Sequence, residues 1–135
     1  MAKTGRTILA VLAGATVWAV LWNAGTLAAR TAFPDVLAPD RPLTHTGFLL
    51  GYIAYSVALS VLAGFVAAAT AGRQALTAVR WLAGIQLGLG LGFEISFWDM
   101  APVWYHVVFL ALIVPATLYG GTLRVRGRPA TRATA

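Results

Sequence analysis

Between residues 7 and 123 only two charged side chains, Arg80 and Glu94, fall inside an apolar run, and every other charge sits in a connection. The runs so marked off lie at about 7–29, 47–71, 76–98 and 103–123. Roughly 20 residues rising 1.5 Å each cross a hydrocarbon core of about 30 Å. A segment in lipid must satisfy its own backbone N–H and C=O groups, which leaves helices for runs of this kind. Composition agrees, with 59% hydrophobic and only 10% charged residues, whereas soluble domains carry about 25% charged. The expectation is an all-α integral membrane protein: a single four-transmembrane-helix bundle over 1–123, followed by a basic cytoplasmic tail over 124–135.

The net charge of +6 raises nucleic acid as a partner. The basic residues sit at segment ends rather than along a groove, so no nucleic-acid partner is expected, and membrane orientation accounts for them. With four spans both termini share a side. That side receives Lys3, Arg6, Arg73, Arg80, Arg124, Arg126, Arg128 and Arg132, and the other receives Arg30 and Arg41 beside Asp35, Asp40 and Asp99. The positive-inside rule then places both termini in the cytoplasm. The first run is longer than a signal-peptide core, carries bulky Trp18 and Trp22 in its later part and shows no small-x-small cleavage site, so it reads as a span. Cysteine is absent, which excludes disulfides, thiolate metal sites and thiol catalysis.

Three features organise the rest. The connection from Arg30 to Thr46 holds Pro34, Pro39 and Pro42, too many for a regular helix, and Phe33 to Pro42 suggests a short interfacial lid. Ser56, Ser60, Gly64, Ala68 and Gly72 recur every four residues in the second run, and Gly84, Gly88 and Gly92 do so in the third. Small residues let helices approach closely in lipid, so these two ridges are expected to meet. Pro115 and then Gly120-Gly121 interrupt the fourth run.

Chemistry concentrates around one turn. Glu94 ends the third run and His106 opens the fourth, with Trp98, Asp99, Pro102, Trp104 and Tyr105 between them. An ionised acid at mid-membrane costs about 2.5–3.5 kcal/mol, so intramembrane acids are functional candidates by default. A histidine beside one can exchange a proton with it. Asn23 on the first run and Tyr52, Tyr55 and Ser56 on the second lie at a similar depth. The candidate ligand-binding set is therefore Glu94, His106, Asn23, Trp98, Trp104, Tyr105 and Tyr55. The plain alternatives are that Glu94 pairs with Arg30 or Arg41 and that the tryptophans, Trp18 and Trp22 included, form an interfacial belt. Haem or metal on His45 and His106 is a distant third reading, because haem sites in bundles use facing helices; no catalytic residue, metal or cofactor is expected.

Trp104-Tyr105-His106 through Pro115, Gly120-Gly121 and Arg124, together with the stretch from Gly64 to Arg73, resemble small four-span bacterial inner-membrane proteins of no assigned activity. The likeness covers the second and fourth runs and implies the four-span fold and a bacterial inner-membrane location. It implies no residue roles. The chain departs from small multidrug transporters of similar size, which keep an acid in the first span where this sequence has only Asn23.

The sequence therefore supports two functional expectations. One is a binding or transport protein with an outer-leaflet pocket for a lipid-like or amphipathic small molecule, anchored by Glu94. The other is a non-catalytic assembly protein whose small-residue ridges hold a second copy or another membrane protein.

Overall fold

The computed structural model describes residues 2–128 and is α-helical, with no strand among them. Helix α1 covers Ala2–Ala32, α2 Thr46–Ala71, α3 Ala75–Ser96 and α4 Val103–Arg126. One-turn 3-10 segments at Gly72–Gln74 and Trp98–Met100 link α2 to α3 and α3 to α4. Three stretches are long and apolar enough to cross a membrane: Ala2–Ala32, Thr46–Ser96 and Val103–Arg126. The middle one, 51 residues long, is broken at Gly72, whose φ of 61° is the only positive one among the described residues. A side chain there would be strained, and it would also crowd the Arg6 guanidinium. The expected tail is helical to Arg126, and its residues 129–135, with Arg132, lie outside the described part.

The exterior of the bundle is apolar, unlike that of a soluble one. Large apolar side chains such as Leu9, Leu27, Leu89, Ile95 and Val107 point outward, while Ser56, Ser60, Gln86, Glu94, His106 and Thr117 are buried. Apolar side chains also fill much of the interior, Phe109, Leu49, Leu82 and Ile113 among them, and an exterior this apolar suits lipid as solvent. Helix α2 lies centrally. A Cβ on Gly64 would collide with the Thr117 carbonyl, and one on Gly120 with the Val61 carbonyl, so α2 and α4 touch backbone to backbone. Gly121 seats on Val79 of α3, and Gly14 of α1 seats on Leu82, Ala63 and Ala67.

This corrects the expected ridge contact. The small residues of α2 do face inward, but their close partner is α4. Gly84, Gly88 and Gly92 have nothing within 4 Å of a built Cβ and face away from the bundle. On α3 the inward stripe is Gln86, Gly90 and Glu94, because these positions oppose Thr117, Ile113 and His106 of α4. The glycine spacing defined a face without saying which way it pointed.

At one end, basic side chains cap α2. Arg6 Nε donates to the Thr70 carbonyl at 2.9 Å, and Arg128 Nη2 donates to the Gly72 carbonyl at 2.6 Å. The Gly72 carbonyl also accepts from the Ala75 N–H of the 3-10 turn, so Arg128 is a second donor to it. The start of α1 and the end of α4 therefore lie at the same end of the bundle. The proline-rich connection crosses the opposite end, where Leu37 is buried and the Leu43 N–H donates to the Met100 carbonyl at 2.8 Å.

Candidate functional site

The turn from α3 to α4 brings Glu94 and His106 into direct hydrogen-bond contact, Oε2 to Nδ1, at 1% residue exposure each. Across the ring, His106 Nε2 lies 2.9 Å from the Trp98 carbonyl and 3.2 Å from the Ala101 carbonyl. Carbonyl oxygens only accept, so Nε2 carries its hydrogen. That leaves the Nδ1 lone pair aimed at the carboxyl group. Either Glu94 is protonated and donates to a neutral imidazole, or an imidazolium donates to the carboxylate. In both cases the pair shares one proton and its net charge is zero. This is how an acid is accommodated here: a neutral, hydrogen-bonded pair avoids most of the penalty of a lone buried charge. Trp98 stacks on the imidazole, with centroids 4.5 Å apart and planes 13° from parallel, which holds the ring in its plane.

Glu94 has a second oxygen. Its Oε1 is buried and has no hydrogen-bond partner. The residue lines a cavity of about 210 Å³ at the end of the bundle under the proline-rich connection. The floor and walls come from Trp22, Tyr52, Phe93, Tyr105 and His106, the roof from Leu37, Pro39 and Leu43, and the rim from Arg30 and Arg41. Neither arginine forms an ion pair: among the described residues the only contact of that kind is Glu94 with His106. A groove of about 340 Å³ between α1 and α2, lined by Gly25, His45, Phe48 and Tyr55, shares Tyr52 with the cavity. A larger groove of about 560 Å³ flanks α1 and α3 at the basic end, with no acid or histidine in its walls.

Of the candidate residues, Glu94, His106 and Tyr105 line the cavity. Trp98 stands behind His106 and contributes its carbonyl and ring face. Asn23 does not belong: it is exposed on the outside of α1, with Nδ2 donating to the Ala19 carbonyl of its own helix at 2.8 Å. Trp104 is 41% exposed and also points outward. Tyr55 donates its hydroxyl to the Leu21 carbonyl and sits where Gly25 has no side chain, so it clips α1 to α2 and faces the groove. His45 packs edge-to-face against Phe48, centroids 5.1 Å apart, in that same groove, apart from His106. Among the described residues no three His, Cys, Asp or Glu side chains gather as metal ligands would.

Several wall residues were not singled out from the sequence. Trp22 is buried among Trp18, Tyr52, Tyr55, Phe93 and Phe109, not in an interfacial belt. Its signal was present: Val11, Gly14, Trp18 and Trp22 repeat at three- and four-residue steps, the spacing of one helix face. Arg30 and Arg41 read as topology charges or as ion-pair partners of Glu94; Glu94 pairs with His106 instead, and the path of the connection brings both arginines to the lining of the cavity. Comparisons with protein-family models, curated proteins and solved structures gave no match to this chain.

Proposed function

We propose that this chain is a membrane-bound receptor for a lipid-like or amphipathic small molecule, entered from the end of the bundle that carries the proline-rich connection. In this reading the helices cross a bacterial inner membrane four times, with both termini in the cytoplasm. The inward ring of Lys3, Arg6, Arg73, Arg80, Arg124 and Arg126 supports that orientation, and the turn at Gly72 supports two crossings within the long middle stretch. The observation that carries the function is a roofed, aromatic-walled cavity with the buried Glu94–His106 pair and the Tyr52 and Tyr105 rings in its lining. Concave, mostly apolar sites with a few convergent polar groups are how ligands are held between bundle helices.

Binding is favoured over passage. Past the polar layer, the interior is filled by Ala63, Ala67, Ala68, Ala71, Ala75, Ala78 and Val79, all at 3% exposure or less. Native mass spectrometry of gently extracted protein tests the reading, comparing wild type with Glu94→Leu/His106→Leu, which removes the pair without stranding a charge. A small molecule retained by the wild type and lost from the double variant is the expected result. An identical ligand-free spectrum for both would overturn it.

A second reading is favoured by the outward Gly84, Gly88 and Gly92 face, which offers close approach to another membrane helix. It predicts that Gly88→Leu disperses an oligomer or complex while the Glu94 variants leave it intact.

A further inference from the structure

We infer that the ligand of this cavity is an amphiphile with an oxyanion head, a phosphate or carboxylate held through its acceptor oxygens. The inference rests on the receptor reading above and follows from which polar side chains of the lining a guest can reach. Glu94 and His106 are spent on each other and on backbone: Oε2 meets Nδ1, and Nε2 is committed to the Trp98 and Ala101 carbonyls. Glu94 Oε1, though unpartnered, is buried out of a guest's reach. Thr26 gives its hydroxyl to the Asn23 carbonyl of its own helix at 3.1 Å. What remains is Arg30, Arg41, Tyr52 and Tyr105, with an indole N–H at most from Trp22. Guanidinium and indole groups are donors only, and a phenol hydroxyl can donate. A lining with this inventory is matched by a guest that brings acceptors.

Charge agrees. The Glu94–His106 pair is neutral. The other acids at this end, Asp35, Asp40 and Asp99, line no part of the cavity, and among the described residues none of them pairs with either arginine. The lining therefore carries two guanidinium charges with nothing to offset them. Guanidinium groups bind phosphate and carboxylate oxygens with charge-assisted, directional hydrogen bonds. Arg30 lies within electrostatic reach of Tyr52, and Tyr52 of Tyr105, so the donors form one connected set. The cavity of about 210 Å³ has room for a compact head but not for a long chain. The groove between α1 and α2 shares Tyr52 and is apolar along Phe48 and Gly51, which gives the chain a path into the lipid. The plainer role of both arginines, charges that hold this end in the aqueous layer, predicts only a general attraction of anions. Arg73 and Arg80 separate the two roles, because they are also exposed and border no part of this cavity.

The test uses the full-length protein in a neutral detergent and measures retention by native mass spectrometry at matched concentrations. The probes are hexadecyl phosphate, the neutral hexadecylglycerol, the cationic hexadecyltrimethylammonium, and glycerol 3-phosphate as a soluble source of the same head. Wild type is expected to retain hexadecyl phosphate about tenfold over hexadecylglycerol, the effect of one charge-assisted hydrogen bond. Arg30→Gln/Arg41→Gln is expected to abolish that preference, and Arg30→Lys/Arg41→Lys to keep part of it through charge alone. Arg73→Gln/Arg80→Gln is expected to leave it unchanged. Tyr52→Phe/Tyr105→Phe, which keeps both rings, is expected to lower retention of hexadecyl phosphate about threefold, the effect of losing neutral hydrogen bonds.

Equal losses from the two glutamine pairs, or a wild type that retains the neutral or cationic amphiphile as strongly as the phosphate, would overturn the oxyanion assignment and leave the receptor reading standing. Binding of glycerol 3-phosphate without hexadecyl phosphate would overturn the amphiphile and make the ligand a soluble organophosphate. No difference between wild type and Glu94→Leu/His106→Leu for any probe, with no other molecule retained, would remove the receptor reading itself.

Discussion

Glu94 and His106 stand twelve positions apart, and each makes the other tolerable. Removing one member strands the other. His106→Leu leaves an acid with no partner at either oxygen and is expected to cost about 3–5 kcal/mol, read as a loss of unfolding free energy in detergent. The double variant Glu94→Leu/His106→Leu should recover most of that loss, because two apolar side chains replace a pair that had to be desolvated. A double-mutant cycle gives the coupling directly, and additive costs would show that the two groups do not share a proton. Nitrogen NMR of His106 is expected to report hydrogen on Nε2 and a hydrogen-bonded Nδ1. The same pair was the most legible part of the site. An acid and a histidine near the facing ends of two helices joined by one short turn share a level in the bundle, and the inward faces of α3 and α4 bring them into contact, whereas Asn23 lies on the outer side of α1, because depth in a membrane says nothing about the side of the helix on which a residue lies.

The helices divide into those held by backbone contact and those held by side chains. Gly64 and Gly120 are where α2 and α4 meet, and neither helix has room to yield. Gly120→Ala is expected to cost several kcal/mol or to prevent assembly, as overpacking at a rigid contact does. Gly88→Ala, on the open face of α3, is expected to leave monomer stability unchanged or raise it slightly through helix propensity. Thermal unfolding of the two variants compares them directly; equal losses would contradict the packing described. Sequence pattern located each glycine stripe but could not choose its neighbour, since a four-residue repeat fixes a direction on one helix and not the rotation of that helix in the bundle. The helices also outrun the apolar segments, α1 starting at Ala2 and α4 ending at Arg126. Hydropathy marks the part that lipid covers, while hydrogen bonding and good helix formers such as Lys3 and Arg124 carry the rod into the polar zone.

Over the whole described molecule, the cavity and the most tightly packed interior lie toward opposite ends, with the Gln86–Thr117 hydrogen bond buried between α3 and α4. The half beneath the proline-rich connection holds the cavity and the proton-sharing pair, and the half capped by Arg6 and Arg128 is filled by alanines, Val79 and Leu82. Cysteines placed at Arg41 and Arg126 are expected to react with an impermeant thiol reagent from opposite sides of sealed vesicles; labelling of both from one side would refute the proposed orientation. The overall class was written in the length and spacing of the apolar runs. The path of the connection was not, because prolines forbid a helix there without dictating where the chain rests.

That path has a mechanical consequence. The Leu43 N–H holds the Met100 carbonyl, and the carbonyls of Trp98 and Ala101, on either side of Met100, hold the His106 ring. Roof and imidazole are thus fastened to opposite sides of one short piece of backbone, like a latch and its spring. In the proposed receptor, lifting the roof is therefore expected to pull on the same backbone whose carbonyls keep the histidine in register.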